Sequence, residues 1–456
     1  VAEKKAYECV MHYMDGTGGH FRRAEIDRLC KGCLNVKVTT GQHPAGIVIV
    51  PKDEDIYMFT PINYPADKVE QGVITTHFDF HAMDDRLVKL DILGHDDPTM
   101  IRMLEDYITS DALENEYNEE NPFVATKIPL DDKDVISLFH NTSALGIKPE
   151  DISGCPLGSL GIPEFGTDFV IQMVQDANPQ SLSDLIRISG LSHGTNVWLG
   201  NAQELIKQGK ATISTAICTR DDIMTYLIHT RVENGLAFKI MESVRKGKGL
   251  TEDMEKAMRE AGVEDWYIES CKRIKYMFPK AHAAAYVMMA WRIAYCKINY
   301  PQAYYASYFS IRASAFSYEI MCQGQKHLED VMKDYKSRSD SLSKKEQDTM
   351  KDMKIVQEMY ARGFEFEPID IFRAHSRNFQ IFDGKIMPSL SSIDGLGEKA
   401  ADAIVEAAKD GPFLSKDDFR MRTKASKTII DLMSDLGILG DLPESNQISL
   451  FDFALS

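Results

Sequence analysis

The sequence has no apolar run long enough to cross a bilayer, which takes about 20 residues as a helix, so a helical membrane anchor is excluded. It has no signal-peptide pattern and no initial Met, and Val1-Ala2-Glu3-Lys4-Lys5 carries no helix cap; a cut through a longer protein is expected. Eight cysteines at 9, 30, 33, 155, 218, 271, 296 and 322 show no framework spacing. That excludes a disulfide-stapled secreted scaffold and points to reduced thiols in a cytoplasmic protein. Cys30-Lys31-Gly32-Cys33 lacks the second ligand pair of a structural zinc site, and His12 and His20 stand at unsuitable spacings, so incidental cysteines near a helix end are expected. There is no internal repeat and no low-complexity tract. Positive charge is scarce, with 52 Lys plus Arg against 69 Asp plus Glu and a net charge of −17. Phosphate contact needs local positive charge, so any nucleic-acid surface must lie in patches.

What is present is ample core material. The apolar fraction is 44% over 456 residues, enough for roughly three domains. The pattern predicts helix from 1 to about 30, broken at Gly16-Thr17-Gly18-Gly19. From about 36 to 95 it is strand-rich, with a Pro/Asn/Asp loop near 61–67. From about 96 to 315 apolar residues recur at helical spacing, as in 283–296. Alternating charges over 323–361 predict a solvent-exposed helical pair, and a short strand region follows around 364–387.

The densest chemistry lies between Thr40 and Pro98. Strand alternation over Val88-Lys89-Leu90-Asp91-Ile92 puts Lys89 and Asp91 on one face and turns Val88, Leu90 and Ile92 into a core. A carboxylate beside an ammonium suits metal and phosphate chemistry; the alternative is an edge strand with a solvated ion pair. His77-Phe78-Asp79-Phe80-His81, as a strand, places His77, Asp79 and His81 on one face. Strung over about 13 Å, from the strand rise, they cannot share one ion, so a supporting role beside Asp91 is expected. Further along, Arg245-Lys246-Gly247-Lys248-Gly249 sets three cations among small residues, fitting phosphate or a surface loop. Lys272 to His282 interleaves cations with aromatics, and Pro279 breaks one helix and begins the next. Ile393-Asp394-Gly395-Leu396-Gly397-Glu398-Lys399 looks like a helix-hairpin-helix turn, whose glycines let backbone N–H groups approach a phosphate. Arg420, Arg422, Lys424 and Lys427 extend a cationic track. Gln447-Ile448-Ser449-Leu450-Phe451 fits a peptide that docks two apolar anchors in a groove.

Taken together, Gly41-Gln42-His43-Pro44, His77 to His81, Lys89 to Pro98, Ile186 to Thr195, Glu242 to Gly249 and Phe278-Pro279-Lys280-Ala281-His282 resemble, in order, the bacterial replicative DNA polymerase III alpha subunits of the PolC type. The resemblance covers essentially the whole chain. It implies an α+β, mostly helical C-terminal portion of such a DNA-directed DNA polymerase: a partial family C palm sheet, a large helical fingers domain and a helix-hairpin-helix duplex-binding domain. The implied boundaries are a thumb remnant at 1–35, palm at 36–95, fingers at 96–322, duplex-binding domain at 323–440 and a sliding-clamp-binding tail at 441–456.

The resemblance implies Asp91 as a catalytic metal ligand and Lys89 beside it, with two Mg²⁺ ions in the intact enzyme. The family's upstream Asp-x-Asp motif is absent from this sequence, so the chain alone is expected to be inactive. Implied nucleotide contacts are Ser189, His193, Arg245, Lys246, Lys248, Lys280, His282 and Tyr286. Implied DNA contacts are Gly395, Gly397, Lys399, Arg420, Lys424 and Lys427, and clamp contacts are Gln447, Leu450 and Phe451. Primer-template DNA, dNTPs, the clamp and other replisome subunits are the expected partners in DNA replication, without a membrane. The rival classes are a non-catalytic DNA- and clamp-binding scaffold, and a metal hydrolase built on His77, Asp79 and His81.

Overall fold

Several helices in this chain begin on side-chain oxygens that take up a backbone N–H of the first turn, where the helix leaves its donors without partners. Thr167 caps Asp168–Ala177, Ser181 caps Leu182–His193, Ser343 caps Lys344–Ala361, Ser415 caps Lys416–Thr423 and Ser426 caps Lys427–Asp435. The structure is a computed structural model that describes residues 2–34, 41–43, 45–92 and 94–445. It is an α+β, mostly helical fold with three two-stranded sheets among the described residues. The chain divides into two units, Val1–His95 and Asp96–Ser456.

The first unit holds helices Ala2–Thr17 and Arg23–Cys33, then two short antiparallel ladders. Strand β1 (Gly46–Ile49) pairs with β4 (Val88–Asp91), setting Gly46 opposite Asp91 and Val48 opposite Lys89. Between them β2 (Ile62–Asn63) pairs with β3 (Thr75–Thr76). The rest of 46–91 is largely turns, so this region carries less strand than its composition predicts.

Two expectations are corrected in the first unit. Lys89 and Asp91 do share a face, but the opposite face of the ladder is not turned into a core. Val88, Leu90 and Ile92 are 62%, 47% and 61% exposed, and Ile47 and Ile49 on β1 are exposed with them. Val48 and Lys89, on the other face, are partly covered, with the Lys89 ammonium 5.4 Å from the Phe80 ring centre. Alternation defines two faces without saying which is covered.

The second correction concerns 77–81, which is not a strand. After His77 N–H donates to Pro61 O, the Phe78 N–H goes to the Thr60 hydroxyl instead of a neighbouring strand. Ala82 N–H to Asp79 O and Met83 N–H to Phe80 O then wind Phe80–Ala82 into a 3₁₀ turn that buries Met83. The period of two ends at Thr76, and the one-face argument for His77, Asp79 and His81 ends with it.

The second unit is organised around Lys280–Asn299. Ala283, Val287, Ala290, Trp291, Ile293, Ala294 and Cys296 are all buried, too many for a single apolar stripe, so the helix is enclosed on several sides. It packs against Asp96–Thr109, Leu182–His193 and Pro301–Ile311. Burying each large apolar side chain stabilises the fold by roughly 1.5–3 kcal/mol. Lys297, near the end of the helix, is fully buried and donates to the carbonyls of Gly158 and Leu160 and to Glu358 on Lys344–Ala361. Tyr305 donates its hydroxyl to the same carboxylate at 2.8 Å.

That second helix is therefore half core: Met353, Ile355, Val356, Glu358 and Met359 are buried. This corrects the solvent-exposed pair expected over 323–361. A separate apolar cluster, including Ile393, Leu396, Ile404, Phe413, Phe419 and Ile430, supports the 369–439 region. Strands β5 (Gln380–Phe382) and β6 (Lys385–Met387) form its hairpin.

Candidate functional site

In the first unit, Gly46 brings an imidazole and a carboxylate together. His43 Nδ1 accepts the N–H groups of Ala45 (3.1 Å) and Gly46 (2.6 Å), which leaves the ring proton on Nε2. A Cβ on Gly46 would lie 2.8 Å from His43 Nδ1 and 3.2 Å from Asp91 Oδ1. Only glycine lets both groups flank this strand position. Lys89 Nζ lies 3.3 Å from Asp91 Oδ1. Lys89 also lines a cleft of about 910 Å³ with Gln42, His43, Asn63, His77 and Asp79, where His77 Nδ1 is 3.0 Å from Asn63 Oδ1.

Mg²⁺ takes hard oxygen ligands, and a pair of ions needs several carboxylates. Asp91 offers one half-exposed carboxylate, and no group of three His, Cys, Asp or Glu is placed to hold an ion among the described residues. A two-ion site does not fit on these residues alone.

The second unit gathers His193, His282 and Tyr286. His193 ends its helix, and Lys280–Asn299 starts immediately after Pro279, setting His282 and Tyr286 one turn apart. The His193 and His282 ring centres are 6.0 Å apart, Phe278 lies 5.3 and 4.9 Å from them, and Tyr286 lies 4.3 Å from His282. A bridge between Thr195 and Tyr276 fastens the two segments. Ser189 is buried behind this cluster and donates to Glu164 Oε2 at 3.1 Å.

The neighbouring cations are mostly paired. Arg245 grips Glu242 through two bonds of 2.6 and 2.7 Å, and Lys246 reaches the same carboxylate at 3.0 Å. The Arg245 hydrogen bond is the main reason the Glu242 carboxyl is pulled down to about 2. Lys280 donates its backbone N–H to Asp221 at 2.6 Å, and its ammonium is 3.5 Å from Asp222. Lys248 and Lys275 are exposed.

Sequence reasoning missed Glu242, Asp221, Asp222 and Glu164. The spacing of Glu242 three and four residues before Arg245 and Lys246 is a legible helix-surface signal. Glu164, in a loop 29 residues away from His193 (193 − 164), gives none.

In the hairpin region, Gly395 takes φ +83°, the left-handed turn a side chain would strain, and Gly397 caps Glu398–Ala408. Lys399, Arg420, Lys424 and Lys427 are exposed, Lys424 in the turn between the last two helices. Arg422 differs: its guanidinium donates to the carbonyls of Ala407, Gly411 and Pro412 and lies 4.2 Å from the Phe413 ring centre. It is used by the fold. Gln447, Leu450 and Phe451 lie outside the described residues.

Known proteins match along this same order. Residues 11–94 match the bacterial DNA polymerase III alpha NTPase domain, 97–265 the bacterial DNA polymerase III alpha subunit finger domain, and 363–448 a helix-hairpin-helix motif. The chain is 52% identical to the PolC-type DNA polymerase III of Staphylococcus haemolyticus over 99% of its length, covering 30% of that protein. It is 50% identical to that of Clostridium perfringens and 49% to that of Caldanaerobacter subterraneus subsp. tengcongensis, again over 99% of the chain and 30% and 31% of those proteins. The chain thus spans about a third of the length of these relatives. Two polymerase III alpha domains are matched in order and about half the residues are identical across nearly the whole length, so the chain is similar throughout to a part of the PolC-type DNA polymerase III.

Proposed function

We propose that this chain is part of a replicative DNA polymerase, which adds dNMP to a primer 3′ end as a template directs. The observation that carries the proposal is the 52% identity to a PolC-type polymerase over 99% of the chain. The geometry supports a division of labour among its residues. Asp91 supplies one oxygen ligand and Lys89 a positive charge for the reacting phosphate. The 193–286 surface takes the dNTP: His282 and Tyr286 offer ring faces, and Lys248, Lys280 and the Arg245/Lys246 pair offer charge to the triphosphate. Gly395, Gly397, Lys399, Arg420, Lys424 and Lys427 hold the duplex backbone without reading sequence. Gln447, Leu450 and Phe451 form a clamp-docking peptide that keeps the enzyme at the primer end. Two Mg²⁺ ions would supply activation of the 3′ hydroxyl and neutralisation of the triphosphate; with one candidate carboxylate here, no step is assigned to them. The setting is the bacterial cytoplasm, among other replisome subunits.

Primer extension with Mg²⁺, four dNTPs and a primed template tests this, with primer-template binding followed in parallel. Binding without extension is expected of the chain alone. Extension abolished by Asp91→Ala would mean that other residues of this chain complete the metal site. Neither binding nor extension from a folded sample would remove the DNA contacts as well.

A further inference from the structure

Glu164 sits in the loop that precedes the Asp168–Ala177 helix, at φ +69°. A non-glycine residue seldom holds this conformation, and where it persists the surroundings enforce it, often at a functional site. Its carboxylate is nearly buried, at 11% exposure, and receives two donors: His193 Nε2 at 2.8 Å and the Ser189 hydroxyl at 3.1 Å. Both donors come from the last turns of Leu182–His193. The other His193 nitrogen has only a 3.3 Å contact with the Ser192 hydroxyl, which itself donates to Ser189 O at 2.9 Å. A hydroxyl whose proton is already given away can only accept from Nδ1. The pattern therefore suits an imidazole protonated on both nitrogens, with Nδ1–H as the donor that a stronger acceptor can take over.

We propose that Glu164 is a positioning residue that holds His193 as a charged donor, edge-on to Phe278 and His282, for a phosphate oxygen of the incoming nucleotide. This deepens the proposed function and rests on the dNTP site assigned there. The titratable groups facing the His193 ring are Glu164 from the 159–167 loop and His282 from the Lys280–Asn299 helix. Lys280, two residues earlier, is turned to Asp221 and Asp222 at the start of Arg220–His229. The electrostatics agree with the geometry. The Glu164 hydrogen bond raises the His193 imidazole above its ordinary value despite partial burial. Burial pushes the Glu164 carboxyl up, but the His193 and Ser189 bonds outweigh it and hold the carboxyl down.

Glu164→Gln keeps the side-chain shape and an oxygen acceptor while removing the charge. The test compares dGTP affinity of the 456-residue chain and this variant between about pH 5.5 and 8, with His193 followed by NMR in both. At the acid end His193 is protonated in either protein and the affinities should coincide. As pH rises the variant loses the imidazolium first, and in the window where NMR shows His193 charged in the unmodified chain and neutral in the variant it should bind about fivefold to tenfold more weakly, the gap between a charged and a neutral hydrogen bond. Glu164→Asp, which restores the charge, should recover part of the difference. A ratio that stays flat with pH, or a His193 that titrates alike in both folded proteins, overturns the role of Glu164 and leaves the nucleotide site standing. If dGTP neither binds the unmodified chain nor perturbs its His193 resonance, the site assignment and this inference both fall.

Discussion

Two sets of cations in the second unit stand in opposite surroundings. Around 242–282, Arg245 and Lys246 share Glu242, and Lys280 answers Asp221 and Asp222. Around 399–427, Lys409, Lys416 and Arg422 pair with Glu406, Glu444 and Asp418, whereas Lys399, Arg420, Lys424 and Lys427 stand exposed and none of these four is in an ion pair among the described residues. A cation already held by a carboxylate has a fixed direction, and a ligand must compete for it. A bare one attracts any phosphate and is screened by salt. The first arrangement suits a small triphosphate that must be placed. The second suits a backbone that slides past.

The comparison is most exposed to failure at the bare cations. Reversing two of them, Lys424→Glu with Lys427→Glu, should weaken duplex binding about 100-fold at low salt and flatten the salt dependence by roughly two phosphate contacts, whatever the sequence. Unchanged affinity in a salt titration would mean the duplex lies elsewhere. Arg422, in the same track, should behave oppositely. Arg422→Ala removes three carbonyl contacts and the Phe413 packing, so it should cost roughly 2 kcal/mol of stability in denaturant unfolding and leave the salt slope of DNA binding intact. A lost slope without destabilisation would return Arg422 to the DNA surface.

Smaller effects sharpen the other half. Glu242→Gln frees Arg245 and Lys246, and dNTP affinity should rise about threefold, since two charges near the triphosphate are no longer neutralised. Weaker binding would mean that Glu242 aims the pair more than it restrains it. The same residue also acts in acid. Its carboxyl lies near 2 in the fold against an ordinary 4.5. The stability it contributes is therefore complete above about pH 4.5 and is lost as pH falls toward 2. Over that window the unmodified chain should lose stability relative to Glu242→Gln, and parallel acid-unfolding curves would refute the assignment.

How much of this was legible beforehand follows from what a one-dimensional pattern can carry. The helical mass of 96–315, the hairpin glycines and the helix starting at Lys280 were legible because spacing, turn chemistry and a proline act locally. The cation positions were legible too. Their partners were not, since Lys280 finds Asp222 across 58 residues and His193 finds Glu164 across a loop with no sequence signature. The β4 strand shows a subtler limit. Its two faces were assigned correctly and its inside wrongly, because which face is covered depends on what the rest of the chain lays against the ladder. At 77–81 the alternation itself misled, since the Thr60 hydroxyl claims the Phe78 N–H that a strand would have needed.

One buried contact also sets terms for the history of this chain. Lys297 and Glu358 are fully enclosed, 61 positions apart in sequence. Changing either alone strands a charge in the interior, at a cost of about 3–5 kcal/mol, whereas replacing both with well-packed apolar residues is often neutral. A single substitution at either position is thus a dead end, and a double one is not. Among descendants of this sequence the two positions should drift together or stay as they are, each acting as a ratchet on the other.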